Sequence, residues 1–263
     1  YPNKFRHFAT DMPTDEATIT RDVVKWIEKR LFQTTTPPEE VAGIVLEAVQ
    51  GEGGYIPAPT AFVKELRRIC DEHGIMLIID EVQSGMGRTG KMFALDHHEG
   101  VKADIMCLAK GLGSGMPIGA CIARDDIMDW HKGAHASTFG GNPVALTAAL
   151  KTIELLEGGL IDNSREVGAY LEAGLNKLKD KYDCIGDVRG LGMMLGVEFV
   201  TDKASLKPAP ELRDAVEMAC YKRGLIILGC GPNSIRWSPP LILAKEHVDV
   251  ALDIFDEAIA ASL

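Results

Sequence analysis

Ile75-Met76-Leu77-Ile78-Ile79-Asp80-Glu81-Val82-Gln83 is the stretch from which the rest of the chain is read. Five consecutive apolar residues describe a short buried strand, the pattern of a parallel sheet covered by helices. The run ends on a carboxylate, and burying an aspartate is costly unless a cation or a strong donor meets it. A second apolar run, Asp104-Ile105-Met106-Cys107-Leu108-Ala109, leads into Lys110. Parallel strands open their ligand crevice at their carboxyl ends, so an acid and an amine at two such ends can face one crevice. Taken singly, Asp80 reads about as well as a helix cap or a surface turn, and Lys110 as a solvated lysine.

Working outward, Val41 to Leu46 reads as a strand ending at Glu47, and Thr60 as the cap of a helix. That helix points Phe62, Val63, Leu66, Ile69 and Cys70 inward and stops at His73-Gly74. Strand, helix and strand from Val41 to Ile79 make a parallel βαβ unit. Upstream, residues 1 to about 18 read as irregular, and Thr20 as the cap of a helix with Val23, Ile27 and Leu31 as its inner stripe. Downstream, Ile118 to Ala123 suggests another strand. Pro143 to Leu156 suggests a helix with Leu146, Leu150, Ile153 and Leu156 inward.

Gly158-Gly159 is the clearest internal boundary. A long helix is expected near Asn163 to Tyr182, with strands near Ile185 to Arg189 and Met193 to Val200. A further helix ends near Arg223, short strands fall at Leu225 to Leu228 and Ile235 to Trp237, and Lys245 to Ala261 closes the chain as a helix. The expected organisation is an α/β part over residues 1–157, carrying a mainly parallel sheet, and a smaller α+β part over residues 158–263.

The chain has 263 residues, 46% of them apolar and 25% charged, which is ordinary globular composition. Its formal net charge of -10 argues against nucleic acid or an anionic membrane as the main partner. No apolar run reaches the length of a bilayer span. Cys70, Cys107, Cys121, Cys184, Cys220 and Cys230 form no C-x-x-C pair, so neither a zinc knuckle nor a disulfide framework is suggested, and a reducing, cytoplasmic setting fits.

Pyridoxal 5'-phosphate needs the pair found at the two strand ends: a lysine to form a Schiff base and an acid to keep the pyridine nitrogen protonated. After Asp80, Val82 can pack on a flat ring and Gln83 can donate to a ring oxygen; plain core packing is the bland alternative for Val82. Small residues follow Lys110 (Gly111-Leu112-Gly113-Ser114-Gly115) and would let a bulky ligand approach the backbone. That run matches neither G-x-G-x-x-G nor the phosphate-loop pattern, so a nucleotide reading carries little weight. Glu47 begins Glu-Ala-Val-Gln-Gly-Glu-Gly-Gly, a third strand end with carboxylates and pliant backbone. His135 to Pro143 places hydroxyls and backbone amides before a helix, which suits a phosphate, while Asn142 also reads as a plain cap. Arg236, in a short apolar strand, can grip a carboxylate bidentately or serve a structural ion pair. His97 and His98 lack a third ligand at metal spacing and read as surface residues.

Together these residues resemble the class III, or omega, aminotransferases, fold-type-I pyridoxal-phosphate enzymes, and within them the 4-aminobutyrate aminotransferase group with its archaeal members. The matching stretches are Glu47 to Gly54, Asp80 to Gly90, the Lys110 segment, Thr138 to Pro143 and Gly186 to Gly192. The resemblance implies that Lys110 is the Schiff-base lysine and proton carrier. It implies that Asp80 pairs with the ring nitrogen, Val82 packs on the ring and Gln83 reaches its hydroxyl. Thr138 would bind the cofactor phosphate of a neighbouring subunit, implying a homodimer with shared sites, or a higher oligomer built from it. Arg236 would bind the carboxylate of the glutamate/2-oxoglutarate partner, and Glu47 would pair with that arginine when the other substrate lacks an α-carboxylate. Ala48 stands where the family often has proline. The family's phosphate loop and its ring-stacking aromatic residue have no counterpart here, as if the first third to two-fifths of such an enzyme were missing.

The implied activity moves an amino group from an amino acid or omega-amine to a 2-oxo acid such as 2-oxoglutarate. The first rival is an amino-acid racemase on the same scaffold, since Gly115-Met116-Pro117-Ile118-Gly119-Ala120 resembles the archaeal relatives that include such enzymes. A non-catalytic subunit is a reading of another class, opposed by the joint presence of Lys110, Asp80 and Gln83. A nicotinamide-dependent oxidoreductase comes last, for want of a dinucleotide fingerprint.

Overall fold

The computed structural model describes residues 1–263, in two compact units. The first comprises Tyr1–Ala48, Ala58–Met86 and Met92–Gly158; the second comprises Val49–Pro57, Gly87–Lys91 and Gly159–Leu263. The passage from one to the other at Gly158 adjoins the glycine pair singled out in the sequence. Two short segments expected in the first part, Val49–Pro57 and Gly87–Lys91, belong to the second.

The first unit is built on the strand pair β1 (Gly43–Leu46) and β4 (Met76–Asp80), joined through α3 (Thr60–His73). The strands are parallel and in register from Gly43↔Met76 to Leu46↔Ile79. The inward residues of α3 are the five expected ones, and Gly74 ends it at φ +68°, its amide donating to the Cys70 carbonyl. Thr60 is not a cap. Pro59 occupies that place, and the Thr60 hydroxyl instead meets Nδ1 of His98 at 3.0 Å, so His98 is a buried residue rather than a surface one. Next come β5 (Ile105–Leu108), parallel to β4, and β6 (Ala120–Ala123), antiparallel to β5, giving the order β1-β4-β5-β6. Leu46, Leu77 and Ile79 are buried on one face of this sheet.

Asp104, at the foot of β5, ties these elements together. Its carboxylate accepts from the Leu77 amide (2.7 Å) and from Arg67 of α3 (2.8 Å), and Arg124, just past β6, binds it from the other side. Burial would raise the Asp104 carboxyl, but these donors outweigh it and hold the carboxyl below its usual range.

Near the start, α1 (Glu16–Lys25) begins earlier than expected, because Asp15 accepts from the Thr18 amide at 2.8 Å and caps it. Thr20 is buried inside the helix instead. Val23, Ile27 and Leu31 are only half-buried: in α1 the buried valine is Val24, and beyond it the chain widens into a π-helical segment, Trp26–Leu31, before α2 (Phe32–Thr34). The wider turns move the stripe around the axis, and Phe32 becomes the buried residue.

The helix α4 (Pro143–Leu155) is capped by Asn142, which accepts from the Ala145 amide at 2.9 Å. Its expected stripe faces inward only at its far end: Leu156, just past the helix, is buried and Ile153 half-buried, whereas Leu146 is exposed, Leu150 is 70% exposed, and Ala145 and Ala149 are buried in their place. The small alanines let α4 pack close to the glycine-rich turn Lys110–Gly113, and Thr152 donates to the Ser114 hydroxyl at 2.9 Å.

In the second unit, β2 (Val49–Gln50) and β3 (Ile56–Pro57) form a small antiparallel pair. After α5 (Ile161–Lys181) follow β7 (Ile185–Leu191), β8 (Met194–Phe199), α6 (Pro210–Lys222), β9 (Leu228–Cys230), β10 (Ser234–Trp237) and α7 (Lys245–Ala260). The sheet is antiparallel in the order β7-β8-β10-β9, and β8 is buried along its whole length. Leu225 to Ile227, expected in a strand, remain outside the ladder, which begins at Leu228. The core gathers Leu171, Leu195, Phe199, Val216, Trp237 and Phe255, with the Trp237 and Phe255 rings edge to face at 5.1 Å. No helix of the chain is long and apolar enough to cross a membrane.

Candidate functional site

β4 ends at Asp80, and the carboxylate immediately turns the chain by accepting from the Val82 amide at 2.9 Å. Asp80 is the register partner of Cys107 on β5, three residues before Lys110. The acid and the amine therefore stand at the carboxyl ends of adjacent parallel strands. Lys110 is exposed and opens a 3-10 turn with φ +37°, a left-handed backbone that L-residues avoid.

The loop after Asp80 is held by a residue to which the sequence reading gave no role. Glu81 is fully buried and accepts from the amides of Ala94 (3.1 Å) and Leu95 (2.8 Å) and from the Ser84 hydroxyl (2.7 Å). Burial pushes its carboxyl up, and those three donors pull the other way. The stretch Asp80-Glu81-Val82-Gln83 is thus anchored through its second member. Val82 and Gln83 are half-buried, and Oε1 of Gln83 is enclosed without a hydrogen-bond partner.

Thr138 lies in an exposed loop leading to α4, where the Gly140 amide donates to the Ser137 hydroxyl at 3.1 Å. Glu47, just past β1, is half-buried, and its backbone carbonyl accepts from the Tyr1 hydroxyl at 2.9 Å.

The second unit carries the arginines. Arg236 on β10 donates to the carboxylate of Glu52, in the loop between β2 and β3. The glutamate on Arg236 in this structure is therefore Glu52, five residues beyond the expected Glu47. The difference has a local cause: the Gly231 amide donates to the Glu52 carbonyl at 2.7 Å and pins that loop beside the β9–β10 turn. The same loop is grasped by Arg189 of β7, which donates to the Gly54 carbonyl (2.7 Å), the Ser234 hydroxyl (3.0 Å) and the buried carboxylate of Glu198 (2.6 Å). Tyr55 is buried at φ +54°; burial raises its hydroxyl pKa, while Ser238, Arg236 and Arg88 oppose the rise. Arg88 donates to the Pro239 carbonyl, and its burial lowers its pKa. Glu52 lay within a segment already singled out, so its charge was legible. Arg189 and Arg88 lay in recognised stretches as well, but their partners are distant in sequence and gave no local signal.

Comparison with known proteins places this geometry. The sequence matches the family described as Aminotransferase class-III over residues 4–259. It is 38% identical to the alanine/serine racemase of Pyrococcus horikoshii, over all of this chain and 56% of that protein. It is 40% identical to the 4-aminobutyrate aminotransferase of Escherichia coli K12, over 87% of this chain and 54% of that one. An amine transaminase from an uncultivated Pseudomonas species, solved in its pyridoxal-phosphate-bound form, superposes with a TM-score of 0.92 at 31% identity, covering all of this chain and 61% of its own. The chain thus spans a little over half the length of the curated relatives it matches. With an acid and a lysine closing neighbouring parallel strands and a matching sequence from residue 4 to residue 259, the chain belongs to the class-III aminotransferase family, of fold type I.

Proposed function

We propose that the full-length protein is a pyridoxal-phosphate-dependent aminotransferase. It would move an amino group from an amino acid or omega-amine, of the 4-aminobutyrate kind, to a 2-oxo acid such as 2-oxoglutarate. The observation that carries this reading is the placement of Asp80 and Lys110 at adjacent parallel strand ends, with the unpartnered amide oxygen of Gln83 on the loop between them. An enclosed amide oxygen without a partner is costly, and a hydrogen-bond donor on a ligand, such as a ring hydroxyl, would satisfy it. These residues fit the cofactor.

When bound, pyridoxal phosphate supplies an electron sink for the charge left as a proton departs the substrate carbon. Asp80 would hold the ring nitrogen protonated, Val82 would rest on a ring face, and Gln83 would accept from the ring hydroxyl through Oε1. Lys110 would anchor the cofactor and, once free, carry the proton between carbons. Its left-handed backbone fixes where the side chain leaves the turn. Thr138 would serve the phosphate site of a second copy, in a homodimer. Arg236 would receive the carboxylate of the oxo acid, and Glu52 would neutralise it when the other substrate brings no carboxylate.

The test is borohydride trapping of the full-length protein loaded with pyridoxal phosphate, followed by peptide mapping. The label is expected on the peptide holding Lys110 and absent in Lys110→Ala; a label on another lysine would remove the central assignment.

One finding favours a second reading. Identity to an alanine/serine racemase extends over the whole chain. Incubation of L- and D-amino acids without any oxo acid separates the two activities: inversion under those conditions means racemisation, and amine exchange only with 2-oxoglutarate means transamination.

A further inference from the structure

Cys107 and Cys121 face each other across the antiparallel pair β5–β6. The Glu81 amide donates to the Cys107 carbonyl at 2.9 Å, so the backbone groups of Cys107 are turned toward β4 and away from β6. The Cys107–Cys121 pair is consequently a non-hydrogen-bonded one, in which Cα atoms approach to about 4.5 Å and side chains lie closest. That separation falls at the short end of the range a disulfide spans, roughly 4.4–6.8 Å. The two side chains leave the sheet on the same face as direct register partners, Cys107 half-buried and Cys121 exposed. The other four cysteines are all buried, and burial pushes the thiols of Cys70, Cys220 and Cys230 up to about 11.

We propose that Cys107 and Cys121 form a cross-strand dithiol site that a low-molecular-weight disulfide oxidises to an intramolecular disulfide. The exposed thiolate of Cys121 attacks one sulfur of the small disulfide, forming a mixed disulfide and expelling one small thiolate. The thiolate of Cys107 then attacks Sγ of Cys121, the mixed disulfide breaks, and a second small thiolate leaves. The protein loses two protons and two electrons, and the small disulfide is reduced to two thiols. Burial, then Cys121 and Asp80, raise the Cys107 thiol, so the second step quickens as pH rises. Asp80, Cys107 and Cys121 are register neighbours across three strands, so the bond would staple β6 to β5 in the row of the Asp80 carboxylate. This site does not depend on the proposed enzymatic function.

The experiment uses the full-length protein and 2,2'-dithiodipyridine. Trypsin cuts after Lys102, Lys110 and Arg124, so Cys107 and Cys121 fall in separate peptides, Ala103–Lys110 and Gly111–Arg124. The expected result is release of two pyridine-2-thiones for this pair, no retained adduct, and a reducible cross-link between those two peptides. In Cys107→Ser the reaction is expected to halt at a stable mixed disulfide on Cys121. A stable mixed disulfide on Cys121 of the unmodified protein, with Cys107 still free, would overturn the proposal. So would failure of both residues to react, or a cross-link from Cys121 to another cysteine.

Discussion

Two glycines show how narrow the tolerance of single positions is. A Cβ on Gly168 of α5 would stand 2.3 Å from the backbone of Gly192, in the β7–β8 turn, and backbone cannot step aside. Gly168→Ala is expected to destabilise the protein by about 2 kcal/mol or more, measured by chemical denaturation, because it forces two elements apart. Gly158→Ala meets nothing within 4 Å and serves as the neutral control. Arg236 and Glu52 allow a kinetic prediction. Losing a charge-assisted hydrogen bond is worth roughly 1.5–3 kcal/mol, so Arg236→Ala should raise KM for a dicarboxylic oxo acid by about 10- to 100-fold. Glu52→Ala should leave that KM near its original value and impair amines that lack an α-carboxylate; equal effects on both substrates would reject the partition of roles. At this scale the sequence showed which residue types mattered but not always which copy. Glu47 and Glu52 sit in one acidic, glycine-rich segment, and only the fold of the loop selects the one on Arg236. Buried Glu81 was invisible because its partners are backbone amides of Ala94 and Leu95, which carry no sequence signal.

The βαβ core was legible because continuous apolar strands and one strongly amphipathic helix leave few alternatives. The elements that departed from expectation have specific causes. Thr20 resembled a cap, yet Asp15 lies one turn earlier with an aspartate's stronger acceptor, and the π-helical widening then displaced the anticipated stripe. In α4 the leucines identified an apolar face, but the close approach of a glycine-rich turn favoured the alanine face. Asp104 decides how these elements respond to acid. Its folded carboxyl titrates lower than in the unfolded chain, so its contribution is complete above the unfolded value near pH 4 and is lost as pH falls through the folded one. Asp104→Asn is expected to weaken the protein at neutral pH and to flatten the acid limb of its stability profile, as followed by denaturant midpoints from about pH 3 to 7. An acid limb as steep as in the parent protein would show that other carboxylates dominate.

At the scale of the molecule, the first unit presents apolar side chains to solvent around α4: Val144, Leu150 and Leu155 on the helix, and Phe139, which is 83% exposed, in the loop before it near Thr138. An uncovered patch of this kind marks an interaction surface, and the proposed homodimer supplies one partner for it. Leu150→Asp in the full-length protein should shift sedimentation toward the monomer; an unchanged dimer would exclude α4 from the contact. Local sequence could not reveal that Val49–Pro57 and Gly87–Lys91 pack with residues more than seventy positions away. Such long-range membership leaves no mark on local composition. It has a consequence for handling the protein. A protease that nicks the chain at Gly158-Gly159 would not release a self-sufficient tail. The tail's Arg189 would still clasp the carbonyl of Gly54, and its Ser164 the carbonyl of Arg88, both carried on the other fragment. The two pieces should migrate together on a sizing column until denaturant parts them, and separately expressed halves should complement each other when mixed.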